Sequence, residues 1–317
     1  MVVYRWDLDR TYLDTDIFTV RGMLRSAFEA AADKRTIPGA DTLLRGLLDA
    51  DEGARATILS GSPVQMRAVL EEKLALDGIR FDSLVLKDNL RNLRRGRFRA
   101  VRGQLGYKLP HLLAMHADEG GTGPEYLFGD DAEVDALVYA LYADAVAGRV
   151  DSQGVERVLR AGGAYEDQIA TALGALARMT PTDVVAGIFI HVDRGVPLRT
   201  FALLGERVRV VFSWYQAALA LWTEGRLAPS GVAAVAEAVD RAGDLGAVRL
   251  AALTQDAVRR RLVAPEAARA LVTSEAALER VRDEVHTALD LLGADLPPSV
   301  PVTTDYLGFL ARAEAFA

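Results

Sequence analysis

Short β-branched and aromatic runs alternate with stretches of helical period through the first two thirds of the chain, and few architectures accommodate that order. The strand-like runs are VVYRW (Val2–Trp6), ATILS (Ala56–Ser60), SLVL (Ser83–Leu86), EYLF (Glu125–Phe128), VVAGIFIHV (Val184–Val192) and RVRVVF (Arg207–Phe212). Helical periodicity marks Phe18–Ala32, Pro63–Leu76, Pro110–His116 and Asp135–Ala147 between them. Such alternation predicts βαβ units, and so an α/β protein of Rossmann-like fold with a mostly parallel sheet. Ser152–Met179 departs from the alternation: it is helical throughout, broken at Gly162-Gly163, and is expected to be a helical excursion between two strands. Past Trp222 no strand is predicted, and Ser230 is the expected N-cap of the next helix. The expected division is an α/β domain over 1–228, with the excursion at about 151–180, and an all-α C-terminal extension over 229–317.

Half of the 317 residues are hydrophobic and the mean hydropathy is +0.11, yet no apolar run approaches the roughly 18 residues a membrane span needs. A soluble globular protein is expected. Cysteine is absent, which excludes disulfides and thiolate metal sites and fits a reducing compartment. The N-terminus shows no basic-then-apolar leader, so a cytoplasmic location is expected. The net charge of −7 argues against indiscriminate nucleic-acid binding. Charge is uneven, however. Between Lys87 and Lys108 eight basic residues (Lys87, Arg91, Arg94, Arg95, Arg97, Arg99, Arg102 and Lys108) face Asp88 alone, a local net of +7. That segment suits an anionic partner, although a solvated helix face with its charges paired elsewhere accounts for such a run equally well. The loop His116–Pro124 is the expected flexible surface segment.

Ligands of open parallel sheets sit beyond the carboxyl ends of the strands. DLDRT follows the first strand, SGSP the second and GDDAEVD the fourth, while GYKLP opens the helix before that fourth strand. One sheet edge would then collect Asp7, Asp9, Thr11, Ser60, Ser62, Lys108, Asp130, Asp131 and Asp135. Residues i and i+2 of an extended segment point the same way, so Asp7 and Asp9 can face a common ligand. This inventory suits phosphoryl transfer: one carboxylate attacks phosphorus and the other protonates the leaving oxygen. Mg²⁺ takes oxygen ligands, and Asp7 and Asp130 are its first candidates, with Asp9, Asp131 and Asp135 close by. Ser60 and Lys108 would hold the phosphoryl oxygens, together with Thr11, Arg10, Gly61 and Ser62. Each fragment alone is ordinary: a strand-end turn, a Ser/Gly turn, a helix cap. Their order, each at a strand end or helix start, points to a site. Asp14 and Asp16 are expected to cap the following helix, His191 to be a hydrogen-bonded structural residue, and Trp214, Tyr215 and Trp222 to be packing residues.

The ordered set resembles the haloacid dehalogenase-like (HAD) hydrolases, whose pattern is DxDx[T/V], then Ser or Thr, then Lys, then a GD-plus-acidic motif. The resemblance implies that Asp7 is the nucleophile, Asp9 the general acid/base, Ser60 and Lys108 the phosphate-binding pair and Asp130 a Mg²⁺ ligand. Asp135 falls at the second acidic position of the last motif. A narrower likeness, to the actin-patch-associated phosphatidate phosphatases and their bacterial relatives, rests on DLDRTYLDTD, ILSGSP, LKDNLRNLRRGRFRAVRGQLGYKLPHLL, LFGDDAEVDALVYALYADAVAGRV and GIFIHVDRGVP. It reaches over roughly residues 1–225. Arg10 departs from it, standing where those phosphatases commonly carry an acidic residue, and the helical tail has no counterpart.

About 48 residues separate Thr11 from Ser60 and about 47 separate Ser60 from Lys108, too few for an inserted cap domain. An uncapped site is expected, open to a large or surface-bound phosphorylated substrate, whether lipid, small molecule or macromolecule. The basic segment suggests peripheral contact with an anionic membrane, and the C-terminal helices offer a surface for a homo-oligomer. The expected activity is a Mg²⁺-dependent phosphomonoester hydrolase whose rate falls at both pH extremes, since Asp7 must be ionised while Asp9 is protonated. The alternative is a non-catalytic module that binds a phosphorylated ligand or a protein partner.

Overall fold

The computed structural model describes residues 1–15, 30–88, 103–121, 123–132, 134–243, 246–292 and 303–313. Six strands form one sheet: β1 (Val3–Trp6), β2 (Arg55–Pro63), β3 (Ser83–Lys87), β4 (Glu125–Asp130), β5 (Val185–His191) and β6 (Val208–Val211). Their order is β3-β2-β1-β4-β5-β6, and every neighbouring pair is parallel. The order reverses between β1 and β4, the switch point at which sheets of this kind leave a crevice for ligands.

Buried side chains line both sheet faces, as a parallel sheet between helical layers demands. On one face Tyr4, Trp6, Ile58, Phe128 and Phe189 pack against α1 (Ala40–Ala50), α2 (Arg67–Leu76) and α7 (Trp214–Thr223). On the other, Leu59, Leu127, Ile188 and Ile190 meet α3 (Leu105–Glu119), α4 (Asp135–Val146), α5 (Ser152–Ala161) and α6 (Glu166–Leu176). The C-terminal helices α8 (Pro229–Gly243), α9 (Gly246–Arg259), α10 (Pro265–Ser274) and α11 (Arg282–Asp290) share the first core, whereas α12 (Tyr306–Ala313) joins the second through Phe309 and Leu310. No described helix is long and apolar enough to cross a membrane.

The six expected strands are present, and the excursion consists of α5 and α6 on either side of Gly162-Gly163. Other boundaries move. The third crossover helix was expected from Pro110, but α3 begins at Leu105 and carries Pro110 inside it. Ser230 is not an N-cap, because Pro229 already occupies the first helical position, where its missing N–H is harmless. Helix α1 was not expected, although Leu43, Leu44, Leu47 and Leu48 give it a buried stripe. His116, expected in a flexible loop, lies in the last turn of α3 and contacts Glu125 at 2.9 Å. Asp16, most of the helix expected over Phe18–Ala32, and Arg91, Arg94, Arg95, Arg97, Arg99 and Arg102 lie outside the described residues.

Candidate active site

The chain leaves β1 at Trp6, and the Asp7 amide donates to the Phe128 carbonyl of β4 at 2.9 Å. That bond seats Asp7 over the switch point. Arg10 then takes φ +60, an uncommon conformation for a residue with a side chain, and its amide donates to the Leu13 carbonyl at 2.8 Å. This tight turn folds Thr11 back, so its hydroxyl donates to Asp7 Oδ2 at 3.1 Å and lies 3.3 Å from Asp130 Oδ2.

Lys108 comes from the first turns of α3. Its ammonium donates to Asp7 Oδ1 at 2.7 Å and to Asp135 Oδ1 on α4. Asp7, Lys108, Asp130 and Asp135 have no exposed side-chain surface, and oxygens of the three carboxylates lie within 4.8 Å of one another. Gly129 permits this approach: a Cβ there would stand 2.6 Å from Asp135 Oδ2. If all three carboxylates were ionised, the one ammonium that reaches two of them would leave an excess of negative charge in a buried volume, which a divalent cation would balance. Oxygen donors alone suit Mg²⁺, so the residues fit that ion.

Asp9 stands apart from this trio. Its Oδ2 accepts from Ser60 at 2.9 Å and Ser62 at 2.8 Å, and its Oδ1 accepts from Thr15 at 3.0 Å. Ser60 and Ser62 lie within β2 rather than in a turn beyond it, at the point where its pairing with β3 shifts register. Gly61 passes under Gln104, with a Cβ there only 2.3 Å from Gln104 Nε2. The structure thus brings Asp7, Thr11, Lys108, Asp130 and Asp135 into one cluster, and Asp9, Ser60 and Ser62 into an adjoining one.

Asp131 is engaged elsewhere. Its Oδ1 accepts from the amides of Asp193 and Arg194 at 2.8 and 2.9 Å, and its Oδ2 from Val196 at 3.0 Å. It therefore clamps the loop after β5, and the Arg10 guanidinium pairs with Asp193 on that same loop. With three backbone partners, Asp131 is a loop anchor in this arrangement. Asp131→Ala is expected to cost about 2–4 kcal/mol, since bonds to a charged group are the stronger kind, and to open the loop to trypsin at the exposed Arg194. Urea melts and the tryptic fragment pattern check this; an intact, equally stable variant speaks against the clamp.

A layer of stacked rings supports the site from one sheet face. Trp6 stacks on Phe128 at 4.2 Å between centroids, Phe128 on Phe189 at 5.4 Å, and Trp214 tilts against Trp6 at 5.1 Å. The Trp214 indole donates to the Thr11 carbonyl at 3.1 Å, so the packing role expected for Trp214 includes holding the turn after β1. His191 stacks on Trp214 at 5.4 Å, and burial lowers its imidazole pKa. Its Nδ1 is enclosed with no hydrogen-bond partner, unlike the bonded histidine expected. Sequence reasoning missed Thr15 and Asp193, whose roles come from chain folding rather than from a motif; Asp193 lies within HVDRGVP, where only the family likeness marked it.

No family model matches this chain, and neither a curated protein nor a solved structure matches it.

Proposed function

We propose that the protein is a Mg²⁺-dependent phosphatase that hydrolyses a phosphomonoester through an aspartyl-phosphate at Asp7. The observation carrying this reading is the buried cluster of Asp7, Lys108, Asp130 and Asp135 at the switch point, beside a second carboxylate, Asp9, that the cluster does not include. A plain binding module has no chemical need for that second carboxylate. The order of motifs, which resembles the HAD hydrolases, agrees with it.

Asp7 attacks phosphorus while Lys108 and Thr11 fix its two oxygens. The phosphorus–ester oxygen bond breaks, and Asp9 gives its proton to the departing alcohol. Water then attacks the aspartyl-phosphate and passes a proton to Asp9, which releases phosphate and restores both carboxyl groups. Lys108 donates to the non-bridging oxygens as charge shifts onto them, joined by Ser60 once its single proton turns from Asp9 to the phosphoryl group. Asp7, Asp130 and Asp135 would hold Mg²⁺, which would supply positive charge to offset repulsion between the carboxylates and the phosphate.

The test is phosphate release by the purified protein across an aryl phosphate, nucleotides, sugar phosphates, lysophosphatidate and phosphatidate vesicles. Turnover is expected with Mg²⁺ and is expected to vanish with EDTA and return when Mg²⁺ is restored. Folded protein that binds Mg²⁺ and releases phosphate from none of these substrates would count against the reading and in favour of a binding module. Phosphatidate turnover exceeding that of the soluble esters would identify the substrate as a lipid.

A further inference from the structure

We propose that the Tyr107 hydroxyl is a substrate-binding group of this site, donating a hydrogen bond to an oxygen of the phosphoryl group beside Lys108; this rests on the phosphatase reading. Tyr107 is 6% exposed, and its hydroxyl oxygen is enclosed with no hydrogen-bond partner. An unpaired buried hydroxyl is unfavourable, and native proteins tolerate few of them unless a ligand completes the bond. Three other buried polar atoms without a partner sit in different surroundings. Trp6 Nε1 lies in the stacked aromatic layer, Thr57 Oγ1 in the middle of β2, and Arg5 Nη1 in an ion network centred on Glu125. Tyr107 instead occupies the first turn of α3, one residue before Lys108.

Tyr107 also lies within electrostatic range of the site's charges. Lys108, Asp7 and Arg67 all act on it electrostatically. Successive helical residues diverge around the axis, so while Lys108 reaches Asp7 and Asp135, Tyr107 turns toward β3. There the Lys87 ammonium lies 5.3 Å from its ring centroid and donates to the Gly103 carbonyl at 2.9 Å. Lys87 pairs in register with Pro63, immediately after Ser60 and Ser62. The Tyr107 ring therefore lies on the β2–β3 flank of Lys108, the flank to which Ser60 and Ser62 of β2 belong.

Two effects make the phenol a good donor. A cation over the ring face draws electron density from it and strengthens the O–H dipole. Burial also pushes the phenol well above its ordinary pKa, so the proton stays in place over the working pH range. A neutral donor meeting an anion in an enclosed site gives one of the stronger kinds of hydrogen bond.

Tyr107→Phe removes only the hydroxyl and keeps the ring for Lys87. Inorganic phosphate binding in the presence of Mg²⁺, followed by titration calorimetry, is expected to weaken about tenfold in the variant, as for one lost bond to a charged ligand. With an aryl phosphate, KM is expected to rise by about the same factor and kcat to change less than threefold, because the bond forms in both ground and transition states. Its Tm is expected to be unchanged or higher, since no protein partner is lost. Wild-type turnover with equal phosphate affinity in both proteins would overturn this proposal and leave the phosphatase reading standing. A lower Tm with unchanged affinity would do the same, by assigning the hydroxyl a structural bond. Wild-type protein that neither binds phosphate nor turns over would remove both.

Discussion

Replacing Asp7 by Asn is expected to lower phosphate release by about 10³-fold or more, because the amide cannot form the covalent intermediate. The fold should survive the change. Asn has nearly the same shape, keeps one oxygen to accept from Lys108 while its amide nitrogen can donate to the Thr11 hydroxyl oxygen, and leaves Lys108 paired with Asp135. A Tm within a few degrees of wild type therefore accompanies the loss. Asp9→Asn gives a graded result instead, a fall of about 10²–10⁴-fold expected for a missing general acid. That fall should be smaller for an aryl phosphate, whose leaving group needs little protonation, than for an alkyl ester. Parallel kinetics on the two esters separate the roles. Asp7→Asn protein that retains turnover within tenfold of wild type would eliminate Asp7 as the nucleophile.

The second large effect lies at the opposite end of the sheet. Arg5 of β1 is 1% exposed and donates to Glu125 of β4 through Nε at 2.8 Å and Nη2 at 3.2 Å, with Glu119 also at 2.8 Å. Glu125 further accepts from Tyr142 at 2.7 Å and contacts His116 at 2.9 Å. Burial alone would raise its carboxyl pKa, but His116, Arg5 and Tyr142 outweigh it and hold the group down to about 2, against an ordinary 4.5. Glu125→Ala leaves the buried guanidinium short of its main partner, and breaking such a pair costs about 3–5 kcal/mol. The pH dependence has a definite sign. A depressed carboxyl contributes stability that is full above pH 4.5 and lost as pH falls toward 2, here on the order of 3 kcal/mol. Urea melts at pH 7 and pH 3 should show wild type losing stability on acidification by more than Glu125→Ala does. Equal acid slopes in the two proteins would show that Glu125 is not the titrating group.

The sheet was legible because parallel strands are buried on both faces and read as apolar runs, ATILS and GIFIHV among them. The strand order was not. Nothing in the runs themselves says that β1 sits between β2 and β4, which is what makes Asp7 and Asp130 neighbours. Pro110 misled the reading of α3, because proline is a usual helix starter and here lies inside one. Within the site, residue types and their strand-end placement were visible, but the partners were not. Asp131 sits beside Asp130 in a run that invites a metal, yet its carboxylate meets backbone amides more than sixty residues downstream. Tyr107 gave no signal beyond adjacency to Lys108, since an unpaired hydroxyl is a property of packing.

The aromatic layer beneath the turn after β1 also gives this protein a built-in optical gauge. Of its three tryptophans, Trp6 and Trp214 are fully buried in that layer, and Trp214 is tied to the Thr11 carbonyl. An indole shielded from water emits toward the blue, and one released to solvent shifts to the red. Because Trp214 also opens α7, whose Tyr215 and Gln216 bond to α9, the same emission senses loosening of the C-terminal helices. Intrinsic fluorescence therefore follows the turn that carries Asp7 and the tail of the chain in one unlabelled signal.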